Sequence, residues 1–146
     1  MNKIKDDRPL PPINDSTRHY VDAWDECFGL GEVCAKISNT LADHGIRDIS
    51  ISTAVNACFE QGNKLQDLAK ALYYSDSVTP PSDLEIVSAL RIARDHLRAV
   101  VEIAVSSGVE LKLNKLAYGH PPKKVAWLAG YYASLKESYL IEGLTD

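Results

Sequence analysis

Three stretches of the chain repeat apolar residues at three- and four-residue steps, a spacing that fits an amphipathic helix and little else. The first contains Tyr20, Val21, Trp24, Cys27, Phe28, Val33, Cys34, Ile37 and Leu41. The second contains Ile51, Val55, Cys58, Phe59, Leu65, Leu68, Ala69 and Leu72, and the third Val87, Leu90, Ala93, Leu97, Val100, Val101 and Ala104. A turn of about 3.6 residues gathers each set into one stripe, which has to be buried against another element. The punctuation between the stripes agrees. Asn14, Asp15 and Ser16, and later Asp48, Ser50 and Ser52, offer side-chain oxygens to the free N–H groups of a helix start. Ser82 and Glu85 have the spacing of a capping box. Gly45 and Gly108 stand where glycine closes a helix in the left-handed conformation. The prolines of "SDSVTPPSD" push their preceding residues out of the helical region and so divide the second stripe from the third. A fourth stripe, Val125, Leu128, Ala129, Tyr132, Leu135 and Tyr139, follows Pro121 and Pro122, which suit a first helical turn. Gly29 and Gly31 lie inside the first stripe, where each costs about 1 kcal/mol relative to alanine, and predict a bend or a close helix crossing.

These signals predict an all-α fold, an antiparallel bundle of four main helices at about 16–44, 50–74, 82–107 and 121–142. "VELKL", residues 109–113, alternates apolar and polar residues but has no partner strand, so it reads as a connector. Residues 1–14 mix charges with Pro9, Pro11 and Pro12 and predict a flexible N-terminal arm, mobile or loosely docked, leaving 15–146 as a single helical-bundle domain. At 45% apolar and 25% charged residues the composition is that of a globular protein. No apolar run is long enough for a bilayer and no apolar leader opens the chain, so a cytoplasmic protein without a membrane partner is expected. Cys27, Cys34 and Cys58 have neither C-x-x-C spacing nor an even count, and their place in the stripes makes them core thiols.

Charge is segregated along the chain. The whole carries −4, yet between Glu110 and Glu137 there is no acid while Lys112, Lys115, Lys123, Lys124 and Lys136 add five positive charges, so the rest stands at −9. Aromatic residues Tyr118, His120, Trp127, Tyr131 and Tyr132 are interleaved with these lysines. Lys123 and Lys124 fall at the start of the fourth predicted helix, where the aligned peptide dipoles already place positive charge. Trp127, Tyr132 and Tyr139 share one helical face and read as core, whereas Tyr131 points elsewhere and is expected as an exposed contact. Lys112, Lys115, His120, Lys123, Lys124 and Tyr131 are therefore the candidate residues for binding a partner or an anion. Three partners fit: an acidic protein surface, including that of a second copy in a homo-oligomer, nucleic-acid phosphates, or the chain's own acids Asp22, Asp25 and Glu26.

Chemistry is sparse by comparison. None of His19, His44, His96 and His120 has an acid three residues before it, as a bundle metal site of the Glu-x-x-His kind needs, and His19 with Asp22 and Glu26 is only a partial ligand set. No H-E-x-x-H, phosphate-loop, dinucleotide-binding or nucleophile-elbow motif occurs, so no metal and no cofactor is expected. "RIARDH", residues 91–96, places His96 after Arg91 with four residues between them. That spacing resembles the motif of HEPN-domain ribonucleases, helical bundles that dimerise so that paired Arg and His side chains meet in a cleft. The resemblance implies metal-independent RNA cleavage, with His96 in acid/base or hydrogen-bonding work and Arg91 stabilising phosphate charge. It covers two residues. Five positions along one helix set them about 140° apart, so they converge within one subunit only if the helix deforms, and otherwise across a dimer, and the family's polar residue after the Arg is here Ile92. The alternative for the same stretch is a solvated face of ion pairs, Arg91 with Asp95 and Arg98 with Glu102. The preferred expectation is a non-enzymatic protein-binding module, a regulator, inhibitor or adaptor working through its charge-polarised surface, with the ribonuclease and phosphate binding as alternatives.

Overall fold

A computed structural model describes residues 7–15, 17–74, 83–112 and 126–145. Among the described residues four helices appear where the stripes place them: α1 (Arg18–Asp43), α2 (Ile49–Tyr73), α3 (Asp83–Ser106) and α4 (Ala126–Thr145). Among the described residues no strand forms, and residues 109–112 are a non-helical connector in which Val109 and Leu111 are buried while Glu110 and Lys112 are exposed. The fold is an all-α bundle. Ser16, Ser82, Pro121 and Pro122, expected to cap or open helices, lie outside the described residues.

The ends of α1 and α2 are set by local hydrogen bonds. Asn14 and Thr17 close a reciprocal pair before α1: the Thr17 N–H donates to Asn14 Oδ1 at 3.0 Å and the Asn14 N–H donates to Thr17 Oγ1 at 3.1 Å. Thr17 is fully buried, and its hydroxyl donates to the Pro12 carbonyl at 2.7 Å. Of the three caps open to α2, Asp48 is used, its carboxylate accepting from the Ser50 N–H at 2.9 Å. That bond favours the charged form and holds the Asp48 carboxyl below its usual range. Gly45 and Gly108 both take positive φ, 78° and 72°. At each, the N–H groups of the glycine and of the residue after it reach back to the last turn: Gly45 to Ala42 and Ile46 to Leu41, both at 2.9 Å, then Gly108 to Val105 at 3.1 Å and Val109 to Ala104 at 2.9 Å. This is the Schellman arrangement, and a side chain at either glycine would meet its own backbone.

α1, α2 and α3 each pack on the other two. Cys34 of α1 lies against Cys58 of α2, and Cys58 Sγ donates to the Ala93 carbonyl of α3 at 3.4 Å, which fixes one layer where all three meet. The centre is filled by Leu30, Val33, Ile37 and Leu41 from α1, Leu65 from α2, and Leu97, Val100 and Val101 from α3, all at most 1% exposed. α1 and α2 run antiparallel and approach closely through two glycine notches. Phe59 sits over Gly31 and Phe28 sits over Gly62, so that a Cβ would come within 2.9 and 2.6 Å of the respective rings. The close crossing expected at Gly31 is thus present, and its counterpart Gly62 is its mirror on α2. Lys70, in the last turn of α2, is buried. Its cation suits the negative end of the helix.

From Asp7 onward the N-terminal arm lies against the end of α2. The Arg8 guanidinium stands 4.6 Å above the Tyr74 ring, Tyr74 Oη donates to the Pro9 carbonyl at 3.0 Å, and Pro11 is buried. α4 has α3 as its main helical neighbour. Leu128 and Tyr132 of α4 are buried, and Tyr132 Oη accepts the Leu111 N–H at 2.9 Å in a buried position. Replacing Tyr132 by phenylalanine leaves that N–H without its acceptor, an expensive state for a buried donor. The expected result is faster amide hydrogen exchange throughout α4, with α1 and α2 protected as before.

All three cysteines are free and fully buried, as core thiols. Burial, with the Glu26 carboxylate nearby, pushes the Cys27 thiol up to about 12. The Cys34 thiol is pushed up by its hydrogen bond to Cys58 and by burial. An unfolded chain releases thiol protons near about 8.5. Above that pH it therefore binds fewer protons than the native state, and stability falls as pH rises toward 12. Denaturant melts at neutral and alkaline pH should show this loss. Thiol reagents should fail to label the native protein and should label all three sites once it is unfolded.

Candidate interaction surface

The sites expected from sequence divide between α3 and the basic stretch that follows it. Arg91 is exposed and His96 half-buried on α3. The cation of "RIARDH" that reaches another helix is Arg94. Its Nε donates to Glu26 Oε2 of α1 at 2.6 Å, and Glu26 is only 13% exposed. Asp95 accepts from Arg98 at 2.8 Å, one turn on, in place of the expected pairing with Arg91. Arg91 and His96 are therefore not brought together within the subunit by any described contact, in keeping with the angle between them on a regular helix. Among the described residues no group of three or more His, Cys, Asp or Glu side chains is placed to hold a metal ion.

Of the basic stretch, Lys115, His120, Lys123 and Lys124 lie outside the described residues. Lys112 is exposed. Lys136 donates to both carboxylate oxygens of Glu110, at 2.9 and 3.2 Å, and stands 4.9 Å over the Tyr132 ring. The Glu110 bond favours the protonated amine and raises the Lys136 pKa. This lysine is balanced within its own subunit, by Glu110 and not by the α1 acids Asp22, Asp25 or Glu26. Tyr131, expected as an exposed contact, is half-buried on α3: its hydroxyl approaches the Arg98 carbonyl at 3.5 Å and its ring lies 5.9 Å from the Arg98 guanidinium.

A second surface, not singled out by sequence, lies at the opposite end of α3. Between the N-terminal halves of α1 and α3 is a groove of about 350 Å³ with Ala23, Ile86, Val87 and Leu90 along it and Asp22 and Asp83 exposed beside them. His19 and Glu26 complete the lining, which holds three carboxylates, one imidazole and no lysine or arginine. The Tyr20 hydroxyl beneath this end has its pKa raised by burial and then by the charges of Glu85 and Asp83. Leu84 and Val87 leave 71% and 49% of their surface exposed, so the groove joins apolar area to negative charge. Its signal in the sequence was the stripe of α3 running on to Val87 while acids persisted on both flanking helices; which helix would face that stripe was not in the spacing.

Compared with protein-family models, curated proteins and solved structures, the chain matches none. No helix among the described residues is long and apolar enough to cross a membrane.

Proposed function

We propose that this protein is a protein-binding module, a small helical regulator, inhibitor or adaptor whose working part is the segregation of its surface charge. The observation that carries the reading is the layout itself: five lysines and no acid between Glu110 and Glu137, on a chain whose net charge is −4. Separated potentials of this kind speed and select encounters between complementary surfaces. Exposed Lys112, just past the C-terminal end of α3, and the acidic groove at its N-terminal end are in keeping with this reading.

The test is retention of a protein from native-host extract on the immobilised full chain, followed by elution with rising salt. A partner held by charge leaves as salt rises and is not retained by a Lys112→Glu, Lys123→Glu, Lys124→Glu variant. RNA added in the presence of chelator separates the ribonuclease alternative: cleavage that disappears in Arg91→Ala or His96→Ala would replace this reading. Retention of a labelled oligonucleotide, weakening linearly with the logarithm of salt, would replace it with phosphate binding.

A further inference from the structure

We propose that "PLPPI", residues 9–13, is a polyproline II ligand held on the outside of the bundle for a partner domain with an aromatic-lined groove, on a surface separate from the charged one above.

The sequence dictates the conformation. Pro9, Pro11 and Pro12 hold φ near about −65° through their rings. Leu10 and Pro11 each precede a proline, which moves them out of the helical region toward the extended one. Every residue from Pro9 to Pro12 is thus restricted by one rule or both. The chain bends at Arg8 and then runs without helix or strand from Pro9 to Asn14. Polyproline II has three residues per turn, so positions three apart share an edge. Burial follows that period. Pro11 is buried against the bundle, while Pro9 and Pro12 on a second edge are exposed. Leu10 and Ile13 on the third edge leave 49% and 61% of their surface to solvent.

Backbone bonds fix the segment in place. Tyr74 Oη donates to the Pro9 carbonyl at 3.0 Å, and Thr17 Oγ1 donates to the Pro12 carbonyl at 2.7 Å. Polyproline II makes no internal hydrogen bonds, so its carbonyls are open to such donors, and these two lie one turn, about 9 Å, apart. The Arg8 guanidinium over the Tyr74 ring ties the start of the segment to the same residue. Two proline–apolar pairs, Pro9 with Leu10 and Pro12 with Ile13, are left outward on a fixed rod.

That shape selects its partner. Aromatic-lined grooves take up P-x-x-P segments, here Pro9 to Pro12, and gain affinity from a ligand that is extended before it binds. The bundle has already met the ordering cost that a loose arm would bring to the contact. None of the four exposed residues carries charge, so the contact is apolar and differs in kind from one made by lysines.

Isothermal titration of the full chain with a panel of purified SH3 and WW domains, which carry such grooves, tests the proposal. At least one domain should bind, and binding should survive about 1 M salt, where the screening length is only about 3 Å. Pro9→Ala with Pro12→Ala, and separately Leu10→Ser with Ile13→Ser, should each weaken binding about tenfold or more, as loss of anchoring contacts does. These residues are exposed, so far-UV circular dichroism should be unchanged. A synthetic peptide of residues 7–14 should displace the chain. Binding to no member of the panel, binding lost in salt, or binding that either pair of substitutions leaves intact would overturn the proposal. Self-association in sedimentation velocity that disappears with Pro9→Ala and Pro12→Ala would overturn it too, by making a second copy the occupant. The Lys112→Glu, Lys123→Glu, Lys124→Glu variant should bind the panel as the wild type does, so failure of the charge reading and failure of this one are seen separately.

Discussion

Leu97→Ala should lower the stability of this protein by about 2–5 kcal/mol, the range for removing a large aliphatic side chain from a packed interior. Leu97 is fully buried on α3 and belongs to the cluster in which all three long helices meet. Its loss opens a hole that α3 and the two helices packed on it cannot easily close, because each is already held against the others. The contrast on the same helix is Ile92, 39% exposed. Ile92→Ala should change stability by no more than about 0.5 kcal/mol, as surface substitutions usually do. Urea melts of the two variants, read for midpoint at constant slope, check the pair. Equal losses would mean that α3 is not seated as described.

Gly62→Ala is expected to destabilise even though alanine is the better helix former. Exchanging glycine for alanine inside a helix gains about 1 kcal/mol. Here the new methyl carbon would lie 2.6 Å from Phe28 Cε1 and 2.8 Å from its Cδ1, closer than carbon atoms approach. Overpacking of this kind costs about 1–3 kcal/mol, so the helix gain is offset and the net loss reaches about 2 kcal/mol at the upper end of that range. Phe28 is itself held by its neighbour, since its ring centroid lies 6.1 Å from that of Phe59, which fills the facing notch at Gly31. The sign should reverse when the ring is removed. In a Phe28→Ala background Gly62→Ala has no ring to meet, and the substitution should stabilise by up to about 1 kcal/mol. A double-mutant cycle reads this directly. A stabilising Gly62→Ala in the intact protein would show that α1 and α2 are not in close contact there.

What could be read in advance and what could not follows from the range of the physics involved. Helix ends are local. Asp48 caps α2 and Gly45 and Gly108 close α1 and α3 within a few residues of chain, and all were legible. The buried faces were legible too, because a stripe such as Val33, Cys34, Ile37 and Leu41 declares itself by spacing. Which face meets which is not in the spacing. Arg94 finds Glu26 across 68 residues and Asp95 takes Arg98 in place of Arg91, choices made by helix placement after the bundle forms. Tyr131 lies off the stripe of Leu128 and Tyr132, a position that by spacing alone points outward. In α4, though, apolar residues are spread around the helix and not gathered on one side, so no single stripe says which face rests on α3. The groove is of the same kind: Ile86, Val87 and Leu90 are visible in the sequence, but their pairing with Asp22 and Ala23 exists only once α1 and α3 lie side by side.

The central claim, that segregated charge and no reactive pair does this protein's work, is tested most directly by comparing two variants for retention of the native-host partner. Lys112→Glu, Lys123→Glu, Lys124→Glu inverts the basic stretch, while Arg91→Ala, His96→Ala removes the ribonuclease-like pair and leaves that stretch intact. The account predicts that the first variant loses the partner and the second retains it as the wild type does. Retention by the first and loss by the second would contradict it.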